Sequence, residues 1–464
     1  MTPSRAWLPG LDPSRNPEVR HEGQTAAGAT FKVPALTGPE AAAVADHVRH
    51  AALAARHTHG IHDVVAAISR AALRLANPDD PIGARAVAAL EAAGGWPPRT
   101  AEELLASHAI GWTEDSLMSI LRSELGDPAL LDGPQPDPGR PSRRRQAIGP
   151  PALFLVLAGN VPGVAVTAVL RGLLVRSAVL CKLPQDEPDL VGLFARALDE
   201  EDPALAATIA ATWWPADRPS PAADEWTKRC GKVIVYGGAD AISSLRARTP
   251  PETPLVEYGP RLGMACLGPN VSDDELAALA RDVCAYDQAG CVSPRLVYLL
   301  GEFSDQETAD ILERLAMALG NEGLRSPGSP IRDTEAVAVR STRARYQFGG
   351  EDDAQAFGPA DLSWTLLYRS TPSAYSESLP RVLWAYRAVT MNDLRGLSSV
   401  LEGRVQAMGV AGLDEETKDA VERLAVEWGV SRVVQVGEMA WPPPDWRHDG
   451  RFQLLPLLRF TEFE

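Results

Sequence analysis

Positive charge is scarce in this 464-residue chain, and lysine is especially rare. Five lysines accompany forty arginines, and the acidic residues exceed both together, which leaves a formal net charge of −16 and a pI near 5.1. Nucleic acids and anionic membrane surfaces attract proteins with clustered cations. We therefore expect neither nucleic acid nor a membrane surface to be the main partner.

Cysteine is also sparse, and its spacing indicates no disulfide framework. The chain has Cys181, Cys230, Cys266, Cys284 and Cys291, and none of them belongs to a CxxC pair. An odd number of such thiols is typical of a reducing compartment. The N-terminal residues lack the apolar run of a signal peptide. These absences predict a cytoplasmic protein.

Long apolar runs are represented by one stretch only, residues 151–170. PALFLVLAGNVPGVAVTAVL carries no charge over 20 residues, which is enough by length to cross a bilayer. Gly-Asn-Val-Pro-Gly interrupts it, and its two halves are typical of a strand and of a helix. We predict a buried strand-turn-helix and no membrane span.

Metal-ligand sets are lacking as well. HTHGIHD contains His57, His59 and His62 without a cysteine or a regular helical pair, and Cys284 and Cys291 have no further Cys or His close in sequence. A tetrahedral site needs four ligands. We predict a polar helix junction at the histidines and no metal site.

What the chain does contain is a long alternation of strand and helix patterns. The predicted segments are an Ala-rich helical part (1–131), a Pro, Gly and Arg-rich linker or oligomerisation excursion (132–150), two α/β domains (151–258 and 259–440) and a C-terminal tail, possibly for oligomerisation (441–464). Such alternation predicts sheets covered by helices on both faces. The segment PALAATIAATWW is predicted to be helical.

Three strand ends in the first α/β domain carry candidate binding residues, since ligands bind at the carboxyl ends of strands in this architecture. Asn160 precedes a helix and is either a cap or an oxyanion donor. Lys182 is either an ordinary exposed lysine or a contact for a ribose or phosphate. The turn at Gly237, Gly238 and Ala239 can offer backbone N–H groups to a phosphate, although the chain has no GxGxxG motif.

The stretch CAYDQAGCVSP contains the candidate nucleophile. Cys291 follows a glycine at the start of a strand, where a thiolate can be exposed and activated, whereas Cys284 lies in a helical pattern and is expected to pack as an apolar residue. That helix separates the two thiols and disfavours a redox pair. Glu257 stands 34 residues before Cys291 and is a candidate base, because a carboxyl in a short strand needs a partner or a role.

Taken in order, these motifs resemble the aldehyde dehydrogenase superfamily and, within it, the LuxC-type acyl-CoA reductases. The motifs are AGNVPG, VLCKLPQDEP, VYGGADAI, VEYGPRLG and YDQAGCVSP, together with YSESLPRVLWAY and the ending GVSRVVQVGEMAWPPPDWRHDG. The resemblance implies an aldehyde-dehydrogenase-like α/β fold, with a Rossmann-type cofactor domain, an α/β catalytic domain and a helical N-terminal region. It also implies a homo-oligomer.

The resemblance further implies a role for each candidate residue. Cys291 is expected to accept the acyl group, and Asn160 and the Cys291 backbone N–H are expected to hold the oxyanion. Lys182 is expected to contact the adenosine ribose or its phosphate, and Gly238 is expected to lie near the pyrophosphate. Glu257 falls where oxidative aldehyde dehydrogenases keep their general base, in a segment that departs from their pattern.

The function that this resemblance implies is reduction of acyl-CoA, or of another acyl thioester, to the aldehyde. NADPH is the expected cofactor on account of Lys182, with NADH as the other choice. Two alternatives stay open. One is an oxidative NAD(P)-dependent aldehyde dehydrogenase, which Glu257 favours, and the other is an acyl-transfer or non-catalytic subunit that docks an acyl-activating partner protein.

Overall fold

The computed structural model describes residues 5–11, 20–348 and 353–464. Its contacts divide the chain into two compact units, with the main boundary between Gly259 and Pro260. The first unit also includes the later segments Pro443–Trp446 and Phe452–Glu464, and the second unit also includes Arg447–Arg451. The C-terminal residues therefore contribute to both units.

The first unit is built around a parallel sheet, and helices connect its successive strands. Its strands before the boundary are β1 (Arg20–Gln24), β2 (Thr30–Pro34), β3 (Gln135–Asp137), β4 (Arg140–Ile148), β5 (Ala152–Val156), β6 (Ala178–Lys182), β7 (Ile209–Thr212), β8 (Lys232–Tyr236) and β9 (Leu255–Tyr258). Its helices are α1 (Gly38–Thr58), α2 (Ile61–Leu75), α3 (Pro81–Gly94), α4 (Pro98–Ala109), α5 (Glu114–Leu125), α6 (Val164–Leu174), α7 (Leu190–Glu201), α8 (Pro203–Ala206), α9 (Pro221–Arg229) and α10 (Ala239–Arg248).

Strands β5 to β9 pair in parallel in the order β7-β6-β5-β8-β9. Most of their side chains are buried, because a parallel sheet is covered on both faces and its strands are rich in Val, Leu, Ile and Ala. The strand order reverses between β5 and β8. Such a reversal opens a crevice at the carboxyl ends of the strands, where ligands bind in open α/β sheets.

One predicted helix is in fact a strand. PALAATIAATWW was expected to be helical, but only the four residues of α8 are, and the following Ile-Ala-Ala-Thr forms β7. All four residues of β7 are buried and pair with β6, and Trp7 pairs with Ala211 on the other side. Burial between two neighbours thus overrides the helix propensity of alanine.

The uncharged residues 151–170 form β5, a turn and the start of α6. Among the described residues, no helix is long and apolar enough to cross a membrane. Residues 132–150, for which the sequence suggested a linker or an excursion, contain β3 and β4. Strand β4 pairs antiparallel with β3 and with the C-terminal strand Arg459–Phe463.

The second unit contains a larger, mostly parallel sheet. Its strands are β10 (Leu262–Leu267), β11 (Pro294–Leu300), β12 (Gln355–Phe357), β13 (Thr365–Arg369), β14 (Val382–Ala388), β15 (Val405–Ala411) and β16 (Arg432–Gln435). Its helices are α11 (Asp273–Cys284), α12 (Asp305–Arg325), α13 (Asp333–Phe348), α14 (Met391–Arg395), α15 (Ser398–Leu401) and α16 (Glu415–Glu427). The strand order is β12-β13-β14-β11-β10-β15-β16, and only β12 is antiparallel to its neighbour among these pairs.

Candidate active site

Cys291 lies in the second unit, in the turn that connects α11 to β11. It differs from the other four cysteines, because those are buried and Cys291 is partly accessible. Cys284, the last residue of α11, is 2% exposed. The two thiols of CAYDQAGCVSP therefore have different surroundings, and only Cys291 is partly accessible.

The three residues Tyr286, Asp287 and Gln288 adopt left-handed backbone conformations just before Cys291. Their φ angles are 52°, 51° and 63°. Residues with a Cβ rarely adopt this conformation, and each instance costs about 1–3 kcal/mol unless its surroundings hold it. The loop that carries Cys291 is therefore strained, and other interactions must fix it.

The carboxylate of Asp287 supplies the first of these interactions. Arg381 Nε donates to Asp287 Oδ1 at 2.9 Å, and the backbone N–H and hydroxyl of Ser329 donate to Oδ2 at 3.0 and 2.6 Å. Asp287 and Arg381 are both buried. A buried, charge-assisted contact of this kind is strong and directional, so it holds the loop in one conformation.

Gln288 supplies the second interaction. Its Nε2 donates to the carbonyl of Pro294 at 2.7 Å, and its Oε1 accepts the N–H of Val382 at 2.8 Å. Strand β10 also packs closely against this loop at Gly263, where the absence of a side chain lets the two backbones approach. A Cβ at Gly263 would lie 2.3 Å from the carbonyl oxygen of Val292, the residue that follows Cys291. The Asp-Gln pair of the motif therefore holds the Cys291 turn in place.

His448 is the side-chain partner of Cys291. Its Nε2 lies 3.6 Å from Cys291 Sγ, although 157 positions separate the two residues in sequence. His448 begins a short 3-10 turn, in which Asp449 has a φ of 54° and Gly450 a φ of 68°. This turn, in the part of the C-terminal segment that belongs to the second unit, brings an imidazole to the thiol.

A buried carboxylate follows His448 directly. The side chain of Asp449 is 2% exposed, its Oδ1 is 3.9 Å from His448 Nε2, and Arg261 Nε is 3.6 Å away. With its amide oriented to donate to this carboxylate, Gln406 of β15 donates to Oδ1 at 2.8 Å and accepts the Asp449 N–H at 2.9 Å. Burial raises the pKa of Asp449, and Arg261 opposes that shift.

The thiol of Cys291 is not a preformed thiolate. Burial raises its pKa to about 12, with the negative charge of Asp449 acting in the same direction and Arg295 and Arg261 acting against it. The sequence had suggested a nucleophile activated by exposure. A thiol with a pKa raised this far is protonated at neutral pH, so a nucleophilic role for Cys291 requires a proton acceptor.

Asn160 lies in the first unit, in the turn between β5 and α6, and is exposed. The cap of α6 is Gly163, with a φ of 91°, so Asn160 does not cap this helix. A Cβ at Gly163 would lie 2.6 Å from the ring of His108, which stacks on Trp112. Burial lowers the pKa of His108 to about 4, so a neutral ring supports this turn.

Lys182 ends β6 and is largely enclosed. Its Nζ lies 5.8 Å from the centre of the Trp214 ring, within the range of a cation–π contact. Burial lowers the pKa of Lys182 to about 8. The side chain is therefore not an ordinary solvated lysine, and its charge changes close to physiological pH.

Gly237 and Gly238 form the turn from β8 to α10, and Ala239 is the first residue of that helix. Gly238 is exposed, and the position of a Cβ there faces open space. The N–H groups of the first turn of a helix attract a phosphate. Because this turn, Lys182 and the Asn160 turn all follow parallel strands of one sheet, they lie at its carboxyl edge, and these residues fit a dinucleotide.

Glu257 lies on β9 of the first unit and already has a cationic partner. Arg246 Nε donates to its Oε1 at 2.9 Å, and Arg246 Nη2 donates to its Oε2. The residue thus has the partner that a carboxyl in a short strand requires. Arg246 thus engages both oxygens of the carboxylate.

The sequence reasoning missed three residues of the second unit, namely His448, Asp449 and Gln406. Two signals were present in the sequence: a glutamine inside the apolar strand RVQAMGVA, and the His-Asp-Gly that ends the family-like C-terminal segment. Gln406 is 1% exposed, and such a buried amide needs hydrogen-bond partners. Neither signal shows that these residues lie close to Cys291.

A family model described as acyl-CoA reductase (LuxC) matches residues 56–460. Curated relatives named long-chain acyl-protein thioester reductase include one from Vibrio harveyi, 25% identical over 312 residues, or 67% of this chain and 63% of the relative. Another, from Photobacterium phosphoreum, is 24% identical over 371 residues, or 76% of this chain and 70% of the relative. The chain thus spans less than two thirds of the length of the Vibrio harveyi protein.

Solved structures with the same fold are aldehyde dehydrogenases. Succinate-semialdehyde dehydrogenase from Burkholderia pseudomallei has a TM-score of 0.75 and 15% identity, covering 99% of this chain and 97% of that one. NADP-dependent glyceraldehyde-3-phosphate dehydrogenase from Bacillus halodurans C-125, complexed with NADP, has a TM-score of 0.71 and 16% identity, covering 96% and 95%. The predicted aldehyde-dehydrogenase-like fold is confirmed.

Proposed function

This chain belongs to the acyl-CoA reductase (LuxC) family, and we propose that it reduces an acyl thioester to the aldehyde through an acyl-enzyme on Cys291. The family resemblance predicted from the motifs is thus confirmed. One observation carries the proposal for the site. Cys291 is the one partly accessible cysteine of five, and it lies on a loop that Asp287 and Gln288 hold in a strained conformation.

Acyl transfer to Cys291 exchanges one thioester for another. The sulfur attacks the carbonyl carbon of the bound thioester, the donor thiol leaves, and the acyl group remains on Cys291 with little change in bond energy. Exclusion of water from the site prevents hydrolysis of this acyl-enzyme, so the thioester persists until it is reduced. When bound, a reduced nicotinamide cofactor supplies the hydride that releases the aldehyde.

We propose NADPH as the cofactor, held at the carboxyl edge of the sheet in the first unit. Two local features support this proposal. Lys182 can place a positive charge near a ribose phosphate. In the turn of Gly237, Gly238 and Ala239, the Gly237 N–H donates to the carbonyl of Tyr258, and the exposed Gly238 and Ala239 begin the helix that faces a phosphate. Asn160 is the proposed oxyanion donor, because this residue is exposed in the turn after β5 and does not cap α6. Glu257 remains the proposed base, with Arg246 as its partner.

The proposed acyl donor is a long-chain thioester. The curated relatives are named reductases of long-chain acyl-protein thioesters, whereas the family description names acyl-CoA. Both donors present the same carbonyl to Cys291. We propose acyl-CoA as the test substrate and an acylated partner protein as the second one.

Intact-mass spectrometry with a panel of acyl-CoAs, with and without NADPH, tests the proposal. We expect acylated enzyme without NADPH, and aldehyde with loss of the acyl mass when NADPH is added. Cys291→Ala should abolish labelling and reduction, because it removes the nucleophile. Cys284→Ala, the matched control, should retain both, and the reverse pattern would refute the assignment.

The same panel separates the two alternatives. Steady formation of acid from aldehyde and NAD(P)⁺ without CoA indicates an oxidative dehydrogenase, the alternative that Glu257 favours. Acylation of Cys291 in a protein that binds no nicotinamide nucleotide indicates an acyl-transfer subunit.

A further inference from the structure

We infer that His448 is a catalytic residue that accepts the proton of the Cys291 thiol, and that Asp449 and Gln406 position it for this step. The inference rests on the proposed acyl-enzyme at Cys291 and adds the group that makes this sulfur nucleophilic. It derives from the 3.6 Å separation of Sγ and Nε2 and from the contacts behind the imidazole.

The distance between Sγ and Nε2 suits an S–H···N hydrogen bond. In that arrangement Nε2 is the acceptor, so the neutral ring carries its proton on Nδ1. Proton transfer along this bond produces a thiolate beside an imidazolium. The product is a neutral ion pair, which is far less costly in a partly buried site than a lone thiolate.

Asp449 explains why the pair is needed and how it is supported. Its carboxylate opposes a negative charge on Cys291, yet its Oδ1 lies 3.9 Å from Nε2 and favours a positive charge on the ring. A single thiolate is therefore disfavoured, and a thiolate paired with imidazolium is favoured. Asp449 acts through His448 and is a positioning residue.

Gln406 fixes the carboxylate of Asp449 with two hydrogen bonds, one to the side chain and one from the backbone N–H. These bonds attach the left-handed turn at Asp449 and Gly450 to strand β15. The attached turn fixes the direction of the His448 imidazole. A buried amide on a strand that otherwise holds apolar residues needs such a role.

The proton and electron pairs balance over the acyl transfer. The thiol proton moves to His448 Nε2, the sulfur pair forms the new C–S bond, and the carbonyl π pair moves to oxygen. When that pair returns, the bond between carbon and the donor sulfur breaks. The departing thiolate takes the proton from Nε2, which leaves neutral His448, a free thiol and acylated Cys291.

The charged groups around the pair are Asp449, Arg261, Arg295 and Arg451. The arginines stay charged over the range of an alkylation experiment. Burial raises the pKa of Asp449, so the Asp449→Asn variant separates the ionisation of this carboxyl from that of the Cys291–His448 pair.

Two measurements without a cofactor test the inference. The first is the rate of alkylation of Cys291 by iodoacetamide from pH 5 to pH 10, and the second is the rate of acylation by a long-chain acyl-CoA, followed by intact mass. We expect the wild-type protein to react near neutral pH through the ion pair. His448→Gln should slow both reactions at pH 7 by about 100-fold or more, as expected for loss of a proton acceptor.

His62→Gln is the matched control, since His62 is an exposed histidine of α2 in the first unit, and its rates should equal those of the wild type. Added imidazole should restore part of the rate of His448→Ala, which a purely structural role would not allow. Asp449→Asn, which keeps the acceptor for Gln406, should shift the pH profile and slow the reaction less.

Equal alkylation profiles for the wild type and His448→Gln would overturn the inference, even if Cys291 is acylated as proposed. A slow variant together with a wild-type protein that no acyl thioester acylates would instead refute the proposed function and leave the pair intact. If the variants do not fold, the wild-type profile decides: a single rise toward the high pKa of an isolated buried thiol contradicts the pair.

Discussion

Lys182 shows how the end of a strand changes the chemistry of one residue. The carboxyl end of β6 and the neighbouring Trp214 remove much of its water, and burial lowers its pKa to about 8. The ammonium is present below that pH and is lost above it. A phosphate bound nearby is therefore attracted at pH 7 and not at pH 9.

The first prediction concerns the affinity for NADPH. We expect the dissociation constant to rise as the pH passes through about 8, and Lys182→Ala to weaken binding at pH 7 by about tenfold or more, the value of a charge-assisted hydrogen bond. Fluorescence titration with NADPH between pH 6.5 and pH 9.5 measures both effects. Lys228→Ala on the exposed face of α9 is the control and should change neither. Binding that is independent of pH in every variant would contradict the role of Lys182.

At the scale of an element, the turn from α11 to β11 explains why Asp-Gln precedes Cys291. Three successive left-handed residues are unfavourable by themselves, and the contacts of Asp287 and Gln288 offset that strain. The buried guanidinium of Arg381 also requires its ion pair with Asp287. Its Nη1 and Nη2 find no hydrogen-bond partner among the described residues, so Asp287 is its counter-charge.

The second prediction concerns Asp287→Ala. It removes the acceptor of three hydrogen bonds and leaves the buried guanidinium of Arg381 unpaired, so we expect a loss of about 3–5 kcal/mol in the free energy of unfolding. Acylation of Cys291 should slow as the loop relaxes. Urea unfolding and intact-mass labelling measure the two effects.

Asp310→Ala is the matched control for that variant. Asp310 is 59% exposed and pairs with Arg314 on the surface of α12, and such a pair contributes about 1 kcal/mol or less. Equal stability of the two variants would show that the Asp287 contacts do not hold the loop.

At the scale of the whole molecule, the C-terminal residues are distributed over both units. Residues 447–451 carry His448, and the strand Arg459–Phe463 completes the small sheet of β3 and β4. Glu124 of α5 anchors the segment between them. It accepts the backbone N–H groups of Gln453, Leu454 and Leu455 at 2.7, 2.7 and 3.0 Å.

The third prediction concerns this anchor. Glu124→Ala leaves three N–H groups without their acceptor, and we expect a loss of about 1–3 kcal/mol for the buried donors, with faster hydrogen exchange at Gln453, Leu454 and Leu455. Glu102→Ala, an exposed position on α4, is the control and should leave exchange unchanged. Protection that persists in Glu124→Ala would show that the C-terminal strand holds this segment by itself.

Local patterns predicted much of the site. The strand-turn-helix around Asn160, the strand end at Lys182 and the turn at Gly237 and Gly238 follow from neighbouring residues, because hydrophobic period and turn chemistry are encoded over a few positions. The choice of Cys291 over Cys284 belongs with them. Helical periodicity buries one thiol, and a turn leaves the other accessible.

Long-range contacts decided the rest, since they depend on neighbours that no local pattern names. Burial beside β6 made Ile-Ala-Ala-Thr a strand, and β4 found its partner more than three hundred residues later in the chain. The sequence by itself determined the superfamily fold and the family, and it singled out Cys291 as the candidate nucleophile. Only the tertiary structure placed His448 at Cys291, because 157 positions separate them and the buried Gln406–Asp449 contact brings them together.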